Sequence, residues 1–423
     1  MRASIVAGWR TPFCKAGTAL KDLTAIDLGK LAVRELIARS EIDPHEVDQL
    51  IFGTVVHNPH APNIAREVGL ATLPKSVPAF TVSRQCASAN QAITSAVDLI
   101  ERGYARVVIA GGAESLSHIP ITVSDPLAQS LTRAAKAKSV AGRVGAFRGL
   151  RPRDLLPTQP QIAEPTTGES MGEAAERMAK ENRISRQAQD EWALRSHRLA
   201  AQGTSDGRLL TEIAAVYVPP DYQVSDRDNG IRTDTSLEAL AQLKPVFDRK
   251  FGSVTAGSAS PITDGASALL LMSDEAAGAL GYQPLGHVVS YAYTALDPGA
   301  QLLQGPAYAA PIALDRAGAT MEDIDLMEMH EAFAAQVLSN LQAMESAEFA
   351  ERELGRTKPV GHPPLESINV MGGSIAIGHP FAATGGRITM TLLNEMRRRN
   401  AGLGLITVCA AGGMGFAMVV EAA

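Results

Sequence analysis

The sequence predicts an α/β protein built from two homologous halves, with a longer segment inserted in the first half. A helix, a short acidic turn and a buried strand follow one another over residues 38–52, and the same order recurs over residues 315–329. A helix, a strand and a glycine-rich turn then follow over residues 87–113 and again over residues 382–413. Helix and strand units that recur in one order indicate a duplicated α/β core.

The elements of the first half follow from local patterns. Met1–Gly8 has the composition of a strand followed by a turn, and Asp27–Ser40 has apolar residues at helical spacing. Ala87–Arg102 is predicted as a helix that Gly103 ends, and Val107–Ala110 as a buried strand. We expect Gly111-Gly112 to form the turn after that strand.

The second half repeats these patterns. Pro311–Gly318 and Ala382–Arg399 are predicted helices, Leu403–Val408 is a predicted strand, and Ala411-Gly412-Gly413 is a predicted turn. Residues 116–245 differ in composition from both halves, because they are rich in Pro, Arg and Gln. We therefore expect an N-terminal half over 1–115, completed by about 246–275, an inserted loop domain over 116–245, and a C-terminal half over 276–423.

Composition excludes several classes of protein. A length of 423 residues exceeds what one hydrophobic core usually holds, and 45% hydrophobic with 20% charged residues is typical of a folded globular chain. The longest apolar runs are too short to cross a bilayer, and no leader segment is recognisable at the first residues. A net charge of −6 argues against nucleic acid as a partner. Three cysteines without a CxxC spacing favour the reducing cytoplasm.

A basic stretch lies within the predicted loop domain. No acidic residue occurs between Asp125 and Asp154, and a solvated helical face is the simplest interpretation. The alternatives are a binding site for a phosphorylated cofactor, for an anionic membrane surface or for a partner subunit. The basic residues are Arg133, Lys136, Lys138, Arg143, Arg148, Arg151 and Arg153.

Cys86 is the first residue with predicted chemistry. It lies between the extended Phe80-Thr81-Val82 and the predicted helix from Ala87. A thiol at a helix N-terminus is stabilised as thiolate by the helix dipole, so we expect a lowered pKa. Cys14 has no such setting and is interpreted as a buried structural cysteine.

Two histidines follow glycine-rich or strand-end segments. His379 ends the run Gly372–His379, which lacks the Lys-Ser/Thr of a Walker phosphate loop and the strand context of a dinucleotide site. An imidazole on such a turn is suited to activate a thiol. His330 ends a predicted buried strand, where α/β sheets place ligands, and is suited to donate to an oxyanion. Glu331 either orients a neighbour or caps the next helix.

Cys409 is a second thiol at the end of a strand, before the turn Ala411-Gly412-Gly413. A thiol facing Cys86 suits proton transfer at carbon. Zinc is the rival for two Cys and two His, but no pair has ligand spacing, so we expect no metal.

These motifs resemble the thiolase family over nearly the whole chain. The further segments that carry the resemblance are Gly111–Ser115, Ser170–Glu173, Val254–Ser260, Asp264–Ala266 and Cys409–Gly415. The resemblance implies a five-layer αβαβα core of two homologous β-α halves with an inserted loop domain. It also implies acyltransferase activity with coenzyme A as co-substrate and no permanently bound cofactor.

By position, the resemblance implies a role for each motif residue. Cys86 matches the acylated nucleophile, His379 its base, and Cys409 the acid/base at the α-carbon. The backbone N–H groups of Cys86 and Ala411 match an oxyanion hole. Ser260 and Arg232 match positions that contact the pantetheine and the adenine nucleotide of coenzyme A.

The motif His330-Glu331-Ala332-Phe333 departs from the Asn-Glu-Ala-Phe of many thiolases. The His form resembles 3-ketoacyl-CoA thiolases of fatty-acid β-oxidation, of the type of the trifunctional-protein β-subunit and the bacterial anaerobic β-oxidation complex. This resemblance implies acyl-CoA substrates, a homodimer or homotetramer, a hydratase/dehydrogenase α-subunit, and peripheral membrane contact through the loop domain.

Three rival functions remain at this stage. An acetyl-CoA C-acetyltransferase that forms acetoacetyl-CoA would use the same residues, and the His330 motif argues against it. A decarboxylating ketoacyl synthase pairs its cysteine with histidine or asparagine, so Cys409 disfavours it. A non-catalytic acyl-CoA-binding scaffold has no need of two thiols and two imidazoles together.

Overall fold

The computed structural model describes residues 2–157 and 163–423. Its strands are β1 (Ala3–Arg10), β2 (Cys14–Lys15), β3 (Gln49–Gly53), β4 (Ala79–Val82), β5 (Val107–Glu114), β6 (Val216–Val218), β7 (Gln223–Ser225), β8 (Thr263–Ser273), β9 (Gly286–Ala295), β10 (Leu326–Met329), β11 (Leu403–Ala410) and β12 (Met414–Ala422). Its α-helices are α1 (Ala25–Ser40), α2 (Ile64–Thr72), α3 (Ser88–Glu101), α4 (Asp125–Lys136), α5 (Val140–Gly145), α6 (Met171–Glu181), α7 (Arg186–Ser205), α8 (Leu237–Ala241), α9 (Asp274–Leu280), α10 (Gly305–Ala317), α11 (Ala334–Glu345), α12 (Ala347–Leu354), α13 (Ser374–Ile377) and α14 (Thr384–Arg399).

The main sheet carries one strand order twice. Its strands run in the order β10-β11-β12-β9-β1-β8-β5-β3-β4, with β2 paired to β8. In the first half β3 is parallel to β5, β5 is antiparallel to β8, and β8 is antiparallel to β1. In the second half β10 is parallel to β11, β11 is antiparallel to β12, and β12 is antiparallel to β9. The predicted duplication is therefore visible in the strand pairing itself.

The two halves of the sheet meet at a narrow seam. There β1 and β9 pair antiparallel through Ser4 with His287 and Ile5 with Gly286. The prediction did not anticipate this pairing, because short antiparallel contacts between distant strands leave no periodic signal in a sequence.

Alternating side chains divide the core into layers. On β8, Leu269 and Leu271 face an inner core shared with α3 and α14, whereas Leu270 and Met272 face an outer core covered by α1. This alternation follows from the two-residue repeat of a strand. On β12 the residues alternate in the same way between the inner core and the face covered by α10 and α11. The resulting order of helix, sheet, helix pair, sheet and helix confirms the five-layer α/β expectation.

Gly111 and Gly112 do not form the predicted turn but lie within β5. A Cβ atom on Gly111 would lie 2.0 Å from the carbonyl oxygen of Ser267, and one on Gly112 would lie 2.1 Å from that of Ala382. Glycine is therefore required by close backbone packing rather than by a turn. As a result β5 continues to Glu114 and delivers this carboxyl group towards the second half.

The segment between β5 and β8 carries α4 to α8 and the β6-β7 hairpin. From it, α6 and α7 pack against α11 of the second half. Within the described residues, no helix combines the length and apolarity that crossing a bilayer requires.

Candidate active site

Cys86 lies in a tight turn between β4 and α3. Gln85, just before it, has a φ of 49°, in the left-handed region. The Ser88 hydroxyl fixes this turn, because it donates to the Gln85 carbonyl at 2.6 Å and accepts from the Arg84 N–H at 2.8 Å. The thiol is thus held at the C-terminal edge of the sheet, where α/β proteins bind ligands.

His379 is the direct partner of this thiol. Its Nε2 lies 3.2 Å from Cys86 Sγ, and its Nδ1 lies 2.6 Å from Thr384 Oγ1. The turn before it contains Gly378 with φ 116°, and the His379 N–H donates to the Pro261 carbonyl. Nε2 can accept the thiol proton only in the tautomer that carries the ring proton on Nδ1, facing Thr384. His379 Nε2 thus faces the Cys86 thiol, and its role as a base stays a prediction.

The expected lowering of the Cys86 pKa is wrong. Burial raises the pKa of this thiol to about 12, and the N–H groups of Ala411 and of Cys86 itself act against the rise. α3 begins only at Ser88, so the helix dipole reaches the sulfur weakly while desolvation acts on it directly. Burial and the Arg387 charge lower the pKa of His379 to about 3. At neutral pH the pair is a thiol hydrogen-bonded to a neutral imidazole.

This neutral pair predicts an unusual pH profile for alkylation of Cys86. Between about pH 5 and about pH 6.5 we expect the rate of iodoacetamide inactivation to change less than about twofold, because His379 takes the thiol proton as the sulfur attacks and the pair keeps one protonation state over this range. An imidazole of ordinary pKa, near 6.5, would raise the rate about 15-fold over the same range. Mass spectrometry of the Cys86 peptide at each pH measures the rate, and a 15-fold rise would contradict the neutral pair.

Cys409 lies at the end of β11, before a turn in which Gly412 and Gly413 have φ of 83° and 67°. The residue is 1% exposed. Burial, and next the proximity of the Cys86 thiol, raise the pKa of the Cys409 thiol well above its usual value, while the N–H groups of Cys409 itself and of Ala332 act against the rise. Cys409 therefore holds its proton at neutral pH, as an acid for a carbanion must.

The two predicted oxyanion donors lie together. The backbone N–H groups of Ala411 and of Cys86 both interact with the Cys86 sulfur. A substrate carbonyl attacked by that sulfur would place its oxygen near both donors. Two N–H groups in this position are suited to stabilise a tetrahedral intermediate.

His330 stacks beside His379. The ring centroids are 4.1 Å apart, and the planes are inclined by 45°. Nδ1 of His330 lies 2.9 Å from Ser374 Oγ, whereas Nε2 has no hydrogen-bond partner in the described part of the chain. Burial, followed by the proximity of the His379 ring and the charge of Arg387, lowers the pKa of His330 well below its usual value. The structure thus brings Cys86, His379, Cys409 and His330 to one site.

Glu331 orients this region and does not cap α11. Its buried carboxylate accepts from Trp192 Nε1 at 3.0 Å, from Ser196 Oγ at 2.7 Å and from Asn369 Nδ2 at 2.8 Å. The α11 N-terminus has no side-chain cap, and the Ala332 N–H is bonded by Gln336 instead. Glu331 therefore joins α7 to the strand end that carries His330.

Glu114 lies in the motif Gly111–Ser115, but the sequence pattern gave it no role of its own. Its buried carboxylate accepts from the N–H groups of Val55 and Val56 at 3.0 and 2.9 Å and from that of Ala382 at 3.3 Å. Burial raises its pKa to about 7. Glu114 ties the first half to the turn after His379. A carboxyl group at the end of a strand whose residues are otherwise apolar or glycine is the sequence feature that could have identified Glu114.

A cavity of about 1090 Å³ opens onto Cys86, His379 and Cys409. Ser260 lies in its wall, and its contact with coenzyme A stays a prediction. Arg232 is exposed and does not contribute to the described lining. The apolar part of the wall is formed by Met171, Phe247, Ile262, Leu303, Phe333 and Phe381.

Within the described residues, Cys86, His330 and His379 also place ligand atoms within 4.8 Å of one another. A metal ion there would have to replace the hydrogen bond between Cys86 and His379. The absence of a metal remains a prediction.

Comparison with known proteins identifies the family of this chain. Residues 3–275 match the thiolase N-terminal domain and residues 282–422 the thiolase C-terminal domain. The "3-ketoacyl-CoA thiolase" of Aeromonas salmonicida (strain A449) and that of Yersinia enterocolitica are each 51% identical to the chain over 421 residues, 99% of this chain and 97% of the relative.

Solved structures show the same fold. The acetyl-CoA acetyltransferase of Bacillus anthracis superposes with a TM-score of 0.85 at 34% identity, covering 100% of this chain and 99% of that one. Human mitochondrial 3-ketoacyl-CoA thiolase superposes with a TM-score of 0.84 at 32% identity, covering 100% and 98%. This chain belongs to the thiolase family.

Proposed function

We propose that the protein is a 3-ketoacyl-CoA thiolase, which cleaves a 3-ketoacyl-CoA with coenzyme A into acetyl-CoA and a shortened acyl-CoA. The observation that carries the proposal is the 3.2 Å hydrogen bond between Cys86 and His379, in a cavity that Cys409 also lines. Relatives of this name with half of their residues identical over full length support it.

In the first half-reaction the Cys86 thiol transfers its proton to His379 Nε2 while its sulfur attacks the 3-keto carbon. The N–H groups of Cys86 and Ala411 stabilise the oxyanion. The bond between C2 and C3 then breaks, and its electron pair forms the enolate of acetyl-CoA. Cys409 gives its proton to C2, so that acetyl-CoA leaves and Cys86 carries the acyl group.

In the second half-reaction coenzyme A gives its thiol proton to the Cys409 thiolate. Its sulfur attacks the acyl carbon on Cys86, and the tetrahedral intermediate uses the same two N–H groups. Cys86 leaves and recovers its proton from His379. Every catalytic residue is then back in its starting protonation state.

The cavity has an apolar wall against which an acyl chain can pack. Its volume of about 1090 Å³ is at the upper end of ligand pockets, and six large apolar side chains are among the described residues that line it. We propose that Ser260 contacts the pantetheine arm. We propose that Arg232 contacts the nucleotide. Arg232 is exposed, so that it can reach a charged group of the ligand at the protein surface.

Thiolysis of a series of 3-ketoacyl-CoAs from short to long chain tests the proposal. We expect turnover of medium or long chains with coenzyme A, together with an acyl adduct on Cys86. Activity confined to acetoacetyl-CoA would instead identify an acetyl-CoA C-acetyltransferase. The absence of any acyl-enzyme would overturn the reaction itself.

We also propose that α4 and α5 bind an anionic membrane surface. All seven basic residues between 133 and 153 are exposed. Exposed apolar side chains are interspersed with them, with Val140 77%, Val144 70% and Leu156 64% accessible. A surface that combines cations with exposed apolar groups suits the boundary of an anionic bilayer.

Cosedimentation with vesicles tests this surface. We expect binding to phosphatidylglycerol vesicles at low salt, and at least about tenfold weaker binding of a Lys136→Glu/Arg143→Glu variant, because each cation contributes about 1 kcal/mol at such a surface. A Lys21→Glu/Lys75→Glu variant, with two exposed lysines elsewhere, is the matched control. Equal binding to neutral vesicles, or no binding, would contradict the proposal.

The remaining proposals concern assembly and compartment. We propose that the chain forms a homodimer or homotetramer and binds a hydratase/dehydrogenase α-subunit, as the resemblance implies. A reducing compartment such as the cytoplasm is proposed because Cys86 and Cys409 must both act as thiols.

A further inference from the structure

A buried chain of hydrogen bonds leads from Glu328 to His330. Arg387 donates through NH1 to Glu328 Oε2 at 3.2 Å and through NH2 to Ser374 Oγ at 3.3 Å. Ser374 Oγ in turn lies 2.9 Å from His330 Nδ1. All four residues are at most 1% exposed. The chain therefore operates away from water, where each polar group needs a partner.

The chemistry of these groups fixes the direction of each bond. A guanidinium can only donate, so Ser374 Oγ accepts from Arg387. His330 Nδ1 is the acceptor within reach of the Ser374 hydroxyl proton among the described residues, and a buried hydroxyl without an acceptor would cost about 1–3 kcal/mol. Ser374 therefore donates to Nδ1.

We propose that Ser374 and Arg387 are positioning residues that fix His330 as the Nε2–H tautomer, and so supply a proton donor to the thioester oxygen of the enolate. Burial beside the Arg387 guanidinium keeps His330 neutral, and a neutral imidazole has a single N–H. Nε2 is buried without a protein partner, beside the His379 ring. To accept the Cys86 proton at Nε2, His379 must carry its own proton on the opposite nitrogen, Nδ1. One imidazole thus acts as base and its neighbour as donor.

This inference rests on the proposed thiolase reaction, but its first test does not need activity. Long-range ¹H–¹⁵N correlation spectra of the ¹⁵N-histidine-labelled full chain report the tautomer of each ring. A His330→Asn variant assigns the His330 signals. We expect wild-type His330 to be protonated at Nε2 alone, and Ser374→Ala to lose this preference. A wild-type ring protonated at Nδ1 would overturn the proposal, whatever the enzyme does.

Kinetics give the second test. For Ser374→Ala we expect kcat for C–C cleavage to fall about 10²-fold, as when an oxyanion donor is lost, with KM nearly unchanged. Ser374→Thr retains a hydroxyl and should recover part of the loss. Alkylation of Cys86 should remain at the wild-type rate, since it depends on His379.

The matched control is Ser290→Ala, which removes another buried serine hydroxyl, donated to the Ala313 carbonyl at 2.6 Å. This variant should keep wild-type kcat. An unchanged kcat in Ser374→Ala, or equal losses in both alanine variants, would show that Ser374 has a merely structural role. A wild-type chain without any thiolysis would refute the proposed function and leave the tautomer measurement as the test of this inference.

Discussion

A Cys86→Ala variant is expected to lose thiolysis by at least about 10⁴-fold, because no other group can carry the acyl chain. The sulfur makes one side-chain hydrogen bond, to His379, and the residue is only partly buried, so we expect the fold to persist. Intact-protein mass spectrometry after incubation with substrate should detect no acyl adduct.

Cys14→Ala is the control for this experiment. Cys14 is a buried cysteine whose sulfur lies 3.4 Å from Ser225 Oγ and which does not line the catalytic cavity. Its replacement should leave both turnover and the adduct at their wild-type level. An acyl adduct that persists in Cys86→Ala would contradict the assignment of the nucleophile.

A Cys409→Ala variant is expected to separate the two half-reactions. C–C cleavage should fall about 10⁴-fold, the upper end of what one positioned proton transfer contributes, because the carbon leaving group requires a proton. Acylation of Cys86 by a saturated acyl-CoA should fall much less, since a thiolate leaves without one. Single-turnover mass spectrometry measures both rates.

We expect this variant to lose so little folding stability that its kinetics can be interpreted. Removal of the buried sulfur leaves a cavity of roughly one atom, which costs about 1 kcal/mol. Far-UV circular dichroism and the wild-type alkylation rate of Cys86 would establish that the fold remains. Equal loss of both half-reactions would refute the division of labour between the two thiols.

The duplicated core and the catalytic residues were predictable because each has a local signal. Helix-strand units recur in order, and Cys86, His379, His330 and Cys409 lie on turns or strand ends with distinctive composition. Their convergence follows from the edge of the sheet at which such turns meet. The structure places these side chains next to one another, while their catalytic roles stay a prediction.

Other features were not predictable, because they depend on contacts between distant segments. The pKa of Cys86 is set by burial, which a helix-start pattern does not report. Gly111 and Gly112 have the composition of a turn, and only the carbonyl groups that pack against them explain their place in β5. Thr384 and Ser374 orient the two imidazoles, yet neither stands out among the serines and threonines of the sequence.

The narrow seam between β1 and β9 has a consequence for how activity fails under stress. The nucleophile belongs to one half of the duplicated core, whereas its base and the second thiol belong to the other, and the β1-β9 pairing itself comprises two residue pairs. A separation of the halves by an ångström or two would break the 3.2 Å hydrogen bond while every helix and strand stayed folded. In mild denaturant we therefore expect enzymatic turnover to decline before circular dichroism registers melting.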